Sequence, residues 1–280
     1  MDIKERELKQ KLVIVILNYE AYWETEKCIK SIFDKKVLCD GIVVVDNGSK
    51  NDSVLYLSRL YKNNSKVTIV KNKQNVGFAR GNNLGIRYAR KKMGADFVLL
   101  LNSDTVMLQN DYCEKLLQSY DKNVAVIQSN ALRTNGRYTA KSYETYSVSG
   151  LICKFLNLVC DTYDVYFPWK YGKKEEIGPH ISGCDFLLTP YFFKEFNGLY
   201  PLTFLFMEEK ILMIMLYRVQ LKICIVEEAC LLHKESMSTP SDLKIGQKRR
   251  KKMECMGHFH AILVRVMPLS IIRMIIDKGK

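Results

Sequence analysis

The stretch FVLLLNSD, residues 97–104, decides the fold of this chain. Its apolar half suits a strand that is buried on both faces, and the run stops at a short polar cluster that ends in Asp104. An earlier stretch, GIVVVDNGS at residues 41–49, repeats this arrangement and delivers Asp46. Because ligands of open α/β sheets bind beyond the carboxyl ends of parallel strands, two such strand ends predict one shared site.

The pattern around these stretches predicts an α/β domain with a mostly parallel sheet. Short β-branched runs alternate with longer amphipathic segments, which is typical of βαβ units and a mostly parallel sheet. Right-handed crossovers then place the strand ends at one edge. The predicted strands are residues 13–17, 42–45, 67–70, 97–101, 124–128 and 222–226. The predicted helices are residues 23–33, 53–61, 78–93, 111–120, 190–197 and 211–219. Residues 134–174 are predicted to be irregular, with a helical piece near residues 151–159.

Composition favours a globular intracellular protein. At 280 residues and 48% hydrophobic content, the chain can bury one substantial core. Residues 1–7 carry charges of both signs, unlike a secretory signal, so a cytoplasmic location is expected. The nine cysteines include no C-x-x-C pair, which fits reduced thiols better than disulfides or a zinc site.

The end of the chain is strongly basic. The formal net charge is +13, and residues 234–280 carry eleven Lys or Arg against four Asp or Glu. The run KRRKK at residues 248–252 precedes an apolar segment, residues 259–276, that contains two arginines and Pro268. These interruptions disfavour a membrane-spanning helix and favour an amphipathic helix at the surface of an anionic membrane. A helix packed on the body of the protein is the alternative. We therefore divide the chain into a main α/β domain, residues 1–240, and a basic amphipathic tail, residues 241–280.

Several motifs contain residues that could bind a ligand or a metal ion, although each motif also has a purely structural interpretation. The turn at residues 46–49 could bind a base or ribose, or be only a turn. The segment NVGFARGNNLG, residues 75–85, brings a guanidinium to a helix start and suits a phosphate or a base, or is a capped helix with a solvated arginine. Residues 102–104 offer oxygen ligands to a hard divalent ion, or cap a helix.

Two further features lie later in the chain. The pair Glu208-Glu209 follows bulky apolar residues, where desolvation can raise the pKa of a carboxyl group toward that of a working base. Exposed glutamates at a helix start are the common alternative. His233 follows an apolar run and could be a metal ligand or a core histidine.

Taken in order, these motifs resemble the GT-A glycosyltransferases of family 2, in the rhamnosyltransferase-like branch. The resemblance covers about residues 11–240 and includes the SGC motif at residues 182–184 and the HKESMS motif at residues 233–238. It implies a GT-A fold with a Rossmann-like nucleotide-binding sheet. It also implies an inverting, metal-dependent transfer of a sugar from a nucleotide-diphosphate donor, UDP- or dTDP-linked, to a hydroxyl group of an acceptor.

The resemblance assigns a role to each motif. Glu209 matches the general base, with Glu208 beside it in the acidic pair. Asp104 would hold Mg²⁺ or Mn²⁺ against the diphosphate, together with His233. The acceptor would meet Gly183, Cys184 and Asp185. The residues assigned to the donor nucleotide are Asn18, Asp46, Asn75, Gly77, Arg80 and Ser103.

The expected function is synthesis of a surface or capsular polysaccharide on a lipid-linked glycan acceptor, at the inner face of the cell membrane, with a homodimer possible. Asn102 and Glu209 replace the aspartates more usual in the family, and residues 210–213 replace an acidic, arginine-bearing segment. This departure leaves open a catalytically degenerate partner that binds donor without turnover. A nucleic-acid-binding protein is a further alternative because of the basic run, but the aromatic residues are not interleaved with it, and no nucleic acid is expected.

Overall fold

The structure is a computed structural model that describes residues 10–138, 143–145, 148–162, 176–179, 181–235 and 247–279. Its strands are β1 Leu12–Asn18, β2 Gly41–Asp46, β3 Val67–Lys71, β4 Phe97–Asn102, β5 Thr105–Met107, β6 Val124–Ser129, β7 Leu132–Arg133, β8 Tyr143–Thr145, β9 Glu176–Pro179, β10 Asp185–Leu188, β11 Lys222–Val226 and β12 Leu231–His233. Its helices are α1 Tyr22–Asp34, α2 Ser53–Leu60, α3 Phe78–Lys92, α4 Tyr112–Gln118, α5 Val148–Thr162, α6 Pro190–Glu195, α7 Glu208–Arg218, α8 Gln247–Val266 and α9 Leu269–Lys278.

The main sheet has seven strands in the order β11-β6-β10-β4-β1-β2-β3. β1 pairs in parallel with β2 and β4, and β2 with β3, whereas β10 runs antiparallel to its neighbours β4 and β6. The predicted mixed α/β class with a mostly parallel sheet is therefore confirmed. Because β10 runs against β4, its first residues lie at the edge where β4 ends.

Both faces of this sheet are covered, as the continuous apolar strands predict. On β1, Leu12, Ile14 and Ile16 pack into a core with α1 and α4, while Val13 and Val15 pack into a second core with α3, α7 and the two last helices. All five side chains are buried. The sheet is thus the middle layer between two layers of helices.

A second sheet, of three short strands, was not predicted. Its order is β5-β12-β7, and β12 pairs antiparallel with β5, with His233 opposite Thr105. Strands this short carry no readable period of two. This small sheet joins the segment after β4 to a segment far later in the chain.

The last two helices pack on the body of the protein. They are separated at Pro268. Their side chains Ala261, Val264, Ile272 and Ile276 are buried in the core that contains Val13 and Val15 of β1. This packing agrees with the alternative given for the tail, while the predicted domain boundary at residue 240 lies outside the described residues. No helix in the described ranges is both long and apolar enough to cross a membrane.

Candidate active site

Asn18 and Asp46 lie side by side where β1 and β2 end. They are partners in the parallel register, and Asn18 Nδ2 donates a hydrogen bond of 2.8 Å to Asp46 Oδ2. The backbone N–H of Ser49 donates to Asp46 Oδ1 at 3.0 Å, and Thr25 Oγ1 donates to Asn18 Oδ1 at 2.8 Å. Asp46 and Asn18 are both fully buried. Asp46 therefore organises the turn after β2, and a direct contact of its carboxylate with a nucleobase stays a prediction.

The side chain of Asn47 joins this turn to the loop before α3. Its Nδ2 donates to Asn75 Oδ1 at 3.0 Å and to the carbonyl of Gly77 at 3.2 Å, while Asn72 Nδ2 donates to Asn47 Oδ1 at 3.0 Å. Asn75 Oδ1 also accepts from the N–H of Gly77 at 3.0 Å. Gly77 has φ = +87°, a conformation that favours glycine. The structure thus places Asn75 and Gly77 next to the turn at residues 46–49, and Asn47, which the sequence placed in that turn without a role of its own, joins the two segments.

Arg80 is held at the side of the site. Its guanidinium Nε donates to the carbonyl of Pro201 at 2.9 Å, and the residue is exposed. The contact ties α3 to the segment that precedes the acidic pair. A role of Arg80 toward the donor stays a prediction.

Asp104 and His233 are brought together by the small sheet. Asp104 Oδ1 lies 3.4 Å from His233 Nε2, and the Asp104 carbonyl accepts from the N–H of Lys234 at 3.1 Å. Asp104 is fully buried, and the His233 side chain is 14% exposed. Lys234 Nζ lies 2.7 Å from Glu24 Oε2, a buried carboxylate of α1 that the sequence did not indicate. This ion pair fastens the end of β12 to α1.

The pairing of Asp104 with His233 fits a divalent cation. His233 Nε2 is buried and makes no hydrogen bond to any residue that the structure describes. Adjacent ligands of an octahedral cation at ~2.1 Å lie ~3 Å apart, close to the observed separation. No group of three or more His, Cys, Asp or Glu side chains in the described ranges could hold a metal ion. A cation here would therefore take its other ligands from a bound diphosphate and water, as Mg²⁺ does in many phosphate sites.

Ser103 and Asn102 complete the end of β4. Ser103 is 8% exposed, and the N–H of Asn102 donates to the carbonyl of Cys184 at 2.9 Å. Through this bond the start of β10 lies beside the metal-binding candidates.

Glu208 and Glu209 have different surroundings in the first turn of α7. Glu208 is buried, and burial together with the charge of Glu209 raises the pKa of Glu208 to about 8. Glu209 is partly exposed, and a Cβ placed on Gly183 would overlap its Oε1 atom. Because Gly183 precedes β10, this contact brings the Glu209 carboxylate to the same sheet edge as Asp104. α7 begins three residues before the predicted start at residue 211.

The three residues predicted on the acceptor side are not equivalent. Cys184 and Asp185 are buried. Asp185 Oδ2 accepts from the hydroxyl of Tyr112 at 2.8 Å and from the N–H of Ser129 at 3.0 Å, which makes it part of the core hydrogen bonding. Of the three, Gly183 lies against Glu209. Contact of any of them with an acceptor stays a prediction.

The apolar residues that follow the acidic pair have a structural reason. Ile211, Leu212 and Met213 are all buried, and so is the rest of α7 as far as Leu216. A helix that is apolar on every side must be covered on every side. α7 is covered by the main sheet and by α8.

Comparison with known proteins places this chain in a family. The profile of glycosyl transferase family 2 matches residues 13–194, and the chain belongs to that family. This match confirms the family predicted from the motifs.

The chain is also similar in sequence to a known hexosyltransferase. The chain is 24% identical over 200 residues to the low-salt glycan biosynthesis hexosyltransferase Agl10 of Haloferax volcanii, covering 71% of this chain and 59% of the relative. It therefore spans about three fifths of the length of that relative.

Solved structures show the same fold. GalNAc-T7, solved with UDP, GalNAc and Mn²⁺, aligns with a TM-score of 0.58 at 14% identity, over 80% of this chain and 44% of that one. The mannosyltransferase PcManGT of Pyrobaculum calidifontis, in complex with GDP-Man and Mn²⁺, aligns with a TM-score of 0.56 at 10% identity, over 98% and 79%. S. aureus TarS 1–349, in complex with UDP-GlcNAc, gives 0.56 at 14% identity, over 96% and 71%. The predicted GT-A fold is confirmed.

Proposed function

We propose that this family 2 glycosyltransferase transfers a sugar from a nucleotide-diphosphate donor to a hydroxyl group of a glycan acceptor, with inversion at the transferred carbon. The observation that carries the proposal is that one sheet edge collects the Asp104–His233 pair, the Asn18–Asp46 pair and the Glu209 carboxylate. Relatives with this fold were solved with UDP, UDP-GlcNAc or GDP-Man, two of them with Mn²⁺. Their ligands support a nucleotide-sugar donor for this chain.

The donor would lie across the ends of β1, β2 and β4. We assign its nucleotide to the region of Asn18, Asp46, Asn75, Gly77 and Ser103, with Arg80 at its side. Its diphosphate would lie at Asp104 and His233, where bound Mg²⁺ or Mn²⁺ would neutralise the negative charge of the leaving group. Charge neutralisation aimed at the leaving group is often the largest single contribution to such a transfer.

Glu209 is the group that we assign as general base. A base must be ionised before it can accept a proton, and at neutral pH the raised pKa keeps Glu208 mostly protonated. Glu209 is the more exposed of the two and lies at Gly183. Its carboxylate would take the proton of the acceptor hydroxyl as that oxygen bonds to the sugar carbon and the bond to the diphosphate breaks. A single displacement of this kind inverts the configuration.

Calorimetric binding tests the donor site directly. UDP, dTDP and GDP, each as the free nucleotide and as a common sugar conjugate, are titrated into the protein with Mn²⁺ or with EDTA. Metal-dependent binding of one nucleotide class supports the proposal and identifies the nucleotide. Absence of binding to all three classes contradicts it. The anomeric configuration of the product, read by NMR, then tests inversion.

We further propose that the transferase works at the inner face of a membrane, on a lipid-linked acceptor for a surface or capsular polysaccharide. Its last helices expose several large apolar side chains, Met256, Phe259, Val266, Ile271 and Met274. Lys252 and Arg249, near the start of α8, are also exposed. Apolar side chains beside basic ones suit the surface of an anionic bilayer.

Vesicle sedimentation tests this second proposal. Binding to vesicles that contain phosphatidylglycerol, absent with phosphatidylcholine alone, is expected for the protein. Replacing Phe259 and Met274 with Ser should weaken the binding, whereas replacing the exposed Leu55 on α2 should not. Equal binding to both kinds of vesicle, or to neither, contradicts the proposal.

A further inference from the structure

The turn before the acidic pair has an unfavourable backbone. Phe206 and Met207 have φ values of +76° and +73°, in the left-handed region, although neither is glycine. Side chains disfavour this region, so such residues persist only where the surrounding structure holds them. The turn leads directly into α7, where the carbonyl of Met207 accepts from the N–H of Ile211 at 2.9 Å. Its conformation therefore sets the direction in which α7 leaves and where Glu209 lies.

One side of this turn is held by the loop before α3. The N–H of Phe78 donates to the carbonyl of Phe204 at 2.9 Å. A Cβ on Gly77 would overlap the same carbonyl oxygen, so the loop approaches the turn as closely as a glycine allows.

The other side is held by α8. A Cβ on Gly257 would lie 2.8 Å from Met207 Cγ and 3.0 Å from the carbonyl oxygen of Phe206. The Arg250 guanidinium of the same helix lies 5.3 Å from the centre of the Phe206 ring. Gly257 and Met207 are both buried. A helix interior normally prefers Ala to Gly, so the advantage of glycine here is the room it gives to the turn.

We propose that α8 positions the general base, and that Gly257 is the positioning residue through which it acts. Gly257 lets the helix backbone lie against Phe206 and Met207, which keeps the left-handed turn and so holds the Glu209 carboxylate at Gly183. The inference rests on the role proposed above for Glu209. It makes the basic tail a part of the catalytic apparatus.

A double-mutant cycle tests this inference. Wild type, Gly257→Ala, Glu209→Gln and the double variant are compared for hydrolysis of UDP-glucose, UDP-GlcNAc, dTDP-rhamnose and GDP-mannose, in which water takes the place of the acceptor. Gly257→Ala is expected to lower kcat about tenfold while donor Kd changes less than about twofold, because the atoms nearest a Cβ on Gly257 belong to Phe206 and Met207 and not to the residues assigned to the donor. In the Glu209→Gln background the same change should have no further effect, since the group it positions is gone. Cys255→Ala, on the same helix, is the control and should keep kcat within about twofold.

The other possible results contradict either the positioning role of Gly257 or the assignment of Glu209 as the general base. Wild-type kcat in Gly257→Ala, with Glu209→Gln inactive, overturns the positioning role and leaves the base assignment intact. Losses that multiply in the double variant also overturn the positioning role, because Gly257 then acts elsewhere. Full activity of Glu209→Gln overturns the base assignment and with it the inference.

A compensating variant separates positioning from folding. Met207→Gly removes the side chain that the new Cβ would meet and tolerates the left-handed backbone. Gly257→Ala combined with Met207→Gly should therefore match Met207→Gly alone in kcat, within about threefold. If the combined variant is folded by circular dichroism but remains about tenfold slower, Gly257 does not act through Met207, and if it fails to fold, the contact serves stability; either result overturns the inference.

Discussion

His233 Nε2 lies 3.4 Å from Asp104 Oδ1, although the two residues belong to distant parts of the chain. The contact follows from the pairing of β12 with β5, which sets His233 opposite Thr105. A carboxylate and an imidazole so close together can share a cation that neither would hold alone.

Asp104→Ala should therefore remove the metal dependence of donor binding. With Mn²⁺ present we expect the donor Kd to rise at least about tenfold, whereas in EDTA wild type and variant should bind alike. Titration calorimetry under both conditions measures this difference. Asp121→Ala removes an exposed carboxylate elsewhere and is the control. Equal weakening of Asp104→Ala with and without metal would exclude Asp104 from the metal site.

Glu209→Gln should abolish proton removal while preserving the shape of the site. A positioned base contributes about 10²–10⁴-fold to such a step, so kcat should fall by that factor with donor Kd almost unchanged. Glu208→Gln is the matched comparison, since an amide resembles the protonated carboxyl at that position. The loss of kcat in Glu208→Gln near pH 7 should be much smaller than in Glu209→Gln. A larger loss in Glu208→Gln would assign the general base to Glu208 instead.

Glu208 should make the free energy of unfolding depend on pH. Its pKa is about 8 in the folded protein, above the ordinary value of 4.5, so the folded state binds the proton more tightly than the unfolded state does. The associated stability is fully present below about pH 4.5 and is lost as the pH rises through about 8. Between pH 5 and pH 8 the stability of Glu208→Gln relative to wild type should thus increase, by about 1–3 kcal/mol. Urea unfolding at several pH values measures it, and a constant difference contradicts the burial of an uncharged Glu208.

Asn47→Ala should weaken both stability and donor binding. The side chain is 3% exposed and bonds to Asn72, Asn75 and the Gly77 carbonyl. Leaving these groups unsatisfied should cost about 2–3 kcal/mol in the free energy of unfolding. Asn63→Ala, at an exposed position, is the control for urea unfolding and should change little. A stable variant with weakened donor binding would show that Asn47 contacts the donor rather than the loop.

Local pattern predicted the layered part of the fold well. The strands that end at Asn18, Asp46 and Asn102 are continuous apolar runs, and their alternation with amphipathic helices predicted parallel strands whose ends lie at one edge. Six of the seven strands of the main sheet were predicted from such runs, with right-handed crossovers placing the parallel strands side by side, whereas β10 and its antiparallel direction were not predicted.

The local sequence pattern did not predict contacts between residues that are far apart in the chain. The three residues of β12 carry no readable period, and the proximity of His233 to Asp104 came from the family resemblance alone. The left-handed backbone of Phe206 and Met207 could not be predicted, because neither residue is a glycine. The contact of Gly183 with Glu209 depends on the antiparallel direction of β10, which the sequence did not predict either. Such features arise from tertiary packing, which a single sequence does not spell out.

The small sheet also fixes when the site becomes complete during synthesis. The ribosome makes Asp104 early and His233 late, and β5 has to wait for β12 before the two can meet. A nascent chain that has not reached residue 231 lacks β12, and with it the imidazole that lies beside Asp104. Under the proposed function, metal-dependent donor binding therefore requires synthesis to have passed His233, long after the strand ends at Asn18 and Asp46 have been made.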